Sequence, residues 1–137
     1  MSEETLIERF QQAFSDLHPG ADMGLSKIYA PEIVFDDPAH HVEGLDSLKL
    51  YFEQLNAGLL SGRFEFDAAL ATELGAALPW RMVLALRCPK LVIQVDGISH
   101  LSFGHGLVTR QRDYFELGQL LYEQVPILGA VVRSIRR

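Results

Sequence analysis

The chain has 137 residues, 48% of them hydrophobic, and a formal net charge of −6. That length suits one domain, 1–137, with a sizeable core, and the acidity argues against nucleic acid, which needs a basic face. The lone cysteine, Cys88, excludes an internal disulfide; with no membrane-length apolar run and no apolar signal core behind the acidic start, the expectation is a cytoplasmic protein.

From the N-terminus, Leu6, Phe10, Phe14 and Leu17 recur at helical spacing, and His18-Pro19-Gly20 stops that helix. Asp22 is placed to cap a second, short helix burying Leu25, Ile28 and Tyr29 ahead of Pro31. Ile33 to Phe35 reads as a short strand. After Gly44, a third helix puts Leu48, Tyr51, Phe52, Leu55 and Leu59 on one face. From Arg63 the period becomes two: Phe64, Phe66, Ala68 and Leu70 alternate with Arg63, Glu65, Asp67 and Ala69, and Trp80, Met82, Leu84 and Leu86 with Arg81, Val83, Ala85 and Arg87. Cys88-Pro89-Lys90 is a turn, Leu91–Phe103 a long strand, Gly104-His105-Gly106 a hairpin and Leu107–Phe115 the last strand. Two apolar helical patterns follow, one through Leu117, Leu120, Leu121 and Val125, the other from Ile127 to Ile135. Helices before an antiparallel meander predict an α+β fold, with helices packed on one face of a curved sheet and a hollow between them.

Asp36-Asp37-Pro38-Ala39-His40-His41-Val42-Glu43-Gly44 is the segment richest in chemistry. Carboxylate and imidazole are the commonest general acid–base groups, here at a strand end; Asp-Pro and Gly are also ordinary turn punctuation. Asp37 is either a general base or a brace for the loop, paired with an arginine such as Arg112. His40 is either a proton shuttle or a loop histidine bonded to backbone. His41 and His105 read as solvated, and His100 as facing outward. No HxH or HExxH spacing supports a metal. The tail ends in Arg133, Arg136 and Arg137; it packs over the hollow or at a subunit contact, with an anionic membrane surface as the weaker alternative.

Tyr29-Ala30-Pro31, Phe35-Asp36-Asp37-Pro38-Ala39-His40, Pro79-Trp80-Arg81-Met82, Gly97 through Phe103 and Arg112-Asp113-Tyr114-Phe115-Glu116 together resemble the SnoaL-like branch of the nuclear-transport-factor-2-like (NTF2-like) superfamily, related in fold to ketosteroid isomerase. The resemblance covers essentially the whole chain and implies an NTF2-like cone. By that resemblance Asp37 stands at the general-base position of the isomerases. Their two oxyanion donors, a tyrosine and a protonated aspartate, correspond to Phe10 and Ser99, which argues against steroid isomerisation. Gln111 replaces a histidine common in this branch. The resemblance thus implies a small hydrophobic ligand and cofactor-free acid–base chemistry of isomerase, cyclase or dehydratase type, with Asp37, His40 and Asp113 as catalytic candidates. Phe14, Trp80, Met82, Ser99, Leu101, Gln111 and Phe115 would line the ligand. The alternative is a binding or dimerisation module without enzymatic activity. A homodimer is expected through the outer sheet face, where Val83 and Ile98 alternate outward.

Overall fold

A computed structural model describes residues 3–116. The expected tail helices lie outside the described residues. Helix α1 (Glu3–Ala13) is followed by one 3₁₀ turn (Leu25–Lys27), strand β1 (Tyr29–Asp36), strand β2 (His41–Glu43) and helix α2 (Leu45–Ala57). Then come β3 (Leu59–Phe66), β4 (Leu70–Ala71), β5 (Gly75–Leu86), β6 (Leu91–Gly104) and β7 (Leu107–Phe115). The sheet order is β2-β1-β7-β6-β5-β3, with β4 added to β5. All pairings are antiparallel except β1 with β7. This is the expected α+β architecture, two helices on a mainly antiparallel sheet.

Five local expectations change. Helix α1 ends at Ala13, before Phe14 and Leu17, and Leu17 instead bridges to Gly62 of the sheet. The second helix is only a 3₁₀ turn, because Asp22 uses its carboxylate on the Gly24 amide and Gly24 turns left-handed at φ 62°. That is turn chemistry rather than a helix cap. β1 starts at Tyr29, four residues before the expected strand, and includes Pro31. Its pairing with β7 shifts between Tyr29 and Val34, so the missing proline N–H falls where the ladder is interrupted. The chemistry-rich loop is a hairpin, with Val34, Phe35 and Asp36 paired to Glu43, Val42 and His41. Leu59 opens β3 rather than closing the third helix, and the period-two run breaks after Phe66.

The core lies between the inner sheet face and the helices. Phe10 from α1, Phe14 from the turn that follows it, Phe35 from β1, Phe52 from α2 and Phe64 from β3 meet edge-on or tilted, with ring centroids 4.9–5.7 Å apart along the chain Phe10–Phe14–Phe52–Phe35. Such pairs are each worth about 0.5–1.5 kcal/mol beyond burial. On the outer face Ile98 is 42% exposed as expected, whereas Val83, also outward, is only 9% exposed.

A hollow with two carboxylates

Strand alternation sends Trp80, Met82 and Leu84 of β5 to the inner face, opposite Gly97, Val95 and Ile93 of β6. The same alternation on β7 sends Gln111, Asp113 and Phe115 inward, opposite Leu101, Ser99 and Gly97. Between this face and α2 lies a hollow of about 110 Å³. Its walls include Phe14, Phe35, Phe64, Trp80, Met82 and Phe115, and both Asp37 and Asp113 border it. Trp80 can lie flat across β6 only because its neighbour is Gly97: a Cβ there would stand 2.4 Å from the indole.

Asp113 is held by a chain of hydrogen bonds with a fixed direction. The Trp80 indole N–H, which can only donate, reaches Ser99 Oγ at 2.9 Å. Ser99 therefore donates to Asp113 Oδ1, at 2.6 Å. The Tyr29 hydroxyl donates to Gln111 Oε1, and Gln111 Nε2 donates to the same Asp113 Oδ1 at 2.9 Å. Among the described residues every hydrogen bond to this carboxyl ends on Oδ1. A proton on Asp113 must then sit on Oδ2, the oxygen left to meet the contents of the hollow. Burial pushes the Asp113 pKa up to about 7, against the lowering effect of the Ser99 and Gln111 hydrogen bonds, and the charge of Asp37 adds to the rise.

Asp37 is held differently. Its Oδ1 accepts from the backbone amides of Ala39 at 2.8 Å and His40 at 2.7 Å, closing the β1–β2 turn. Its Oδ2 accepts from the Tyr51 hydroxyl of α2 at 2.7 Å. Burial and then the Asp37 charge raise the Tyr51 pKa, which keeps the phenol protonated as that donor. Oδ2 retains a second lone pair. Among the described residues no arginine meets Asp37; Arg110 instead approaches Asp36 at 3.7 Å.

His40 does not border the hollow. Its ring stacks on Tyr51 at 4.8 Å, and Nδ1 is buried without a partner, 3.9 Å from Asp37 Oδ1. Burial lowers its pKa, with the Asp37 charge opposing, so the imidazole is favoured neutral. Asp113 does not pair with His40. His41 lies outside between Asp36 and Glu43, and its hydrogen bond to Asp36 is the main cause of a raised pKa.

Of the expected ligand contacts, Phe14, Trp80, Met82 and Phe115 reach the hollow. Three do not border it. Leu101 is wholly buried in the core, and Ser99 and Gln111 are 1% exposed behind the wall, spent on holding Asp113. Sequence reasoning missed three residues. Tyr29 and Tyr51 were counted as apolar surface, although a buried phenol needs a partner. Asn56, on the buried side of the last turn of α2, also borders the hollow.

Residues 7–111 match the profile of the SnoaL-like domain. No curated protein is significantly similar to the chain. A crystal structure assigned as a SnoaL-like polyketide cyclase, from Shewanella denitrificans OS-217, superposes with a TM-score of 0.73 at 20% identity, covering 89% of this chain and 98% of that one. A hypothetical protein with a ketosteroid isomerase-like fold from Catenulispora acidiphila DSM 44928, in complex with trimethylamine, gives 0.74 at 14% identity, covering 89% and 92%. A de novo designed protein with a curved β-sheet gives 0.68 at 15% identity, covering 98% and 97%. At these identities the likeness establishes the fold.

Proposed function

The chain belongs to the SnoaL-like domain family, and we propose that it binds a small, mostly apolar carbonyl compound in the hollow and moves a proton on it without a cofactor. The observation that carries this reading is the pair of carboxyls on one apolar hollow, held in opposite ways. Two titratable groups whose surroundings set them apart make a natural acid–base pair. Protonated Asp113 donates from Oδ2 to the carbonyl oxygen, where negative charge develops. Asp37, through the free lone pair of Oδ2, takes the proton from the carbon next to the carbonyl and returns it. This gives Asp113 the donor role that Phe10 and Ser99 cannot fill. The Tyr51 hydroxyl and the His40 amide position Asp37, and Tyr51 also borders the hollow.

Deuterium exchange at the carbons flanking the carbonyl of 2-octanone, followed by NMR in heavy water, tests the scheme. The wild-type rate should be highest below about pH 7 and fall above it as Asp113 loses its proton. Asp113→Asn, which keeps a weaker donor that does not titrate, should slow exchange and abolish that pH break. Binding of 2-octanone with no exchange at any pH would refute the catalytic scheme. It would favour a non-catalytic binder, a reading that gains from Tyr51 occupying Asp37 Oδ2 and from Gln111 at a position where relatives carry histidine.

The outer sheet face supports the further proposal of a homodimer. Ile98 and Tyr114 are cross-strand partners there, 42% and 50% exposed. Sedimentation should show a dimer that Ile98→Lys converts to monomer; a monomeric wild type at tens of micromolar refutes it.

A further inference from the structure

Asn56 has no part in the proton-transfer scheme, yet it is 4% exposed and borders the hollow. An asparagine amide offers two donor hydrogens and one acceptor oxygen. Here Nδ2 donates to the Met23 sulfur at 3.4 Å, a weak acceptor, and no other hydrogen bond of the side chain is made among the described residues. A leucine would fill this apolar setting, between Leu17, Leu55, Leu84 and Ile93, without burying an amide. The Met23 contact ties α2 to the segment before the 3₁₀ turn but uses only one of the three hydrogen-bonding groups of the amide.

The end of α2 is fastened to the far end of β5: the Arg87 amide donates to the Gly58 carbonyl, and Leu59 pairs with Leu86. The middle of the same helix is fastened at the carboxylate end, where Tyr51 meets Asp37, about 7.5 Å of helix before Asn56. Along the wall, Trp80, beside Asp113, and Leu84 are separated by four residues of strand, about 13 Å. The hollow therefore has hydrogen-bonding groups at both ends and a belt of apolar side chains between them.

Building on the proposed carbonyl chemistry, we infer that Asn56 selects the ligand by bonding a hydroxyl at the end remote from its carbonyl. The hollow thus prefers an apolar body with a carbonyl at one end and a hydroxyl at the other. A hydroxyl both donates and accepts, so it can satisfy the amide oxygen and the second amide hydrogen. A ligand without it leaves the amide unpaired in a dry wall, the situation in which polar sites discriminate most strongly.

The test compares 8-hydroxy-2-octanone with 2-octanone by calorimetry and by the ¹⁵N–¹H signals of the Asn56 side chain. Wild type should prefer the hydroxyketone by about tenfold or more, the worth of one hydrogen bond gained at an otherwise unpaired amide. Asn56→Leu should bind the two ketones alike and so lose the preference. The Asn56 amide signals should move with the hydroxyketone and stay with 2-octanone. Equal binding of the two ketones by wild type, or an unchanged preference in Asn56→Leu, overturns the inference and leaves the carbonyl scheme standing. If the leucine variant does not fold, the wild-type signals decide: unmoved amide signals at saturation overturn it. Failure of both ketones to bind overturns the carbonyl scheme and this inference together.

Discussion

Asp37 lies in the turn between two strands, whereas Asp113 lies in the middle of the sheet on β7. The turn brings backbone amides to Asp37, and α2 adds a phenol, so three donors surround its two oxygens. The sheet spends its own amides on its ladder and offers Asp113 only side chains, both on one oxygen. Burial then dominates at Asp113 and its pKa climbs to about 7. The pair shows one carboxyl surrounded by turn amides and a phenol, the other governed by burial against two side-chain donors. Under the proposed scheme the first is the base and the second the acid.

The largest effect is expected where the comparison is sharpest, at Asp37. Asp37→Asn keeps an acceptor for the turn amides, and the Tyr51 hydroxyl can rotate to accept from the new amide. Exchange of 2-octanone should fall by about 10²–10⁴, the usual worth of a general base, for a stability loss of about 1 kcal/mol. Asp37→Ala leaves three donors unpaired and should cost about 3 kcal/mol or more in urea unfolding. Full exchange in the asparagine variant would reduce Asp37 to a brace and break the acid–base pairing.

Asp113 makes the opposite prediction for stability. Its folded pKa of about 7 lies above the 3.8 of an ordinary aspartate, so the folded state binds this proton more tightly. The stabilisation is fully present below the unfolded value, fades as pH rises between the two, and is gone above about 7. At about 1.4 kcal/mol per pKa unit the loss is a few kcal/mol at most, less where the hollow admits water. Asp113→Asn has no such proton to lose. Relative to that variant, wild type should lose stability between about pH 4 and about pH 7 in urea titrations. A difference that stays constant with pH would mean that Asp113 does not titrate in this range.

The two carboxylates were unequally legible in the sequence. Asp37 stands in a run of Asp, Pro, His and Gly whose turn signals are local, so the position was visible though its partners were not. Tyr51 is fourteen residues away on a helix, and its phenol reads as part of an apolar face. Asp113 was placed by alternation alone, which gives the face but not the neighbour. That Ser99 ends on its Oδ1 depends on the β6–β7 register. The β5–β6 register pairs Trp80 with Gly97, a close approach no single strand reveals. The early start of β1 was hidden because Pro31 reads as a stop, yet here it falls in a shifted stretch of the ladder. The expected walls Ser99, Leu101 and Gln111 share a face with the true walls, and only packing separates front from back.

The finest test of the comparison removes one donor at a time from Asp113. Ser99→Ala takes away one of the two hydrogen bonds that hold the Asp113 pKa down, so its pKa should rise further and the break in exchange should move to higher pH. The Trp80 indole N–H also loses its acceptor, and an unpaired buried donor costs about 1–3 kcal/mol. Trp80→Phe separates the two consequences. It leaves the Ser99–Asp113 hydrogen bond in place, so the pH break should stay near its wild-type position while stability falls through lost packing. If Trp80→Phe moved the break as far as Ser99→Ala does, the pKa would be set by the dryness of the wall rather than by the direct hydrogen bond. The contrast with Asp37 would then rest on burial alone. If only Ser99→Ala moves it, each carboxyl is tuned by the donors that touch it, amides and a phenol for one, a serine and a glutamine for the other.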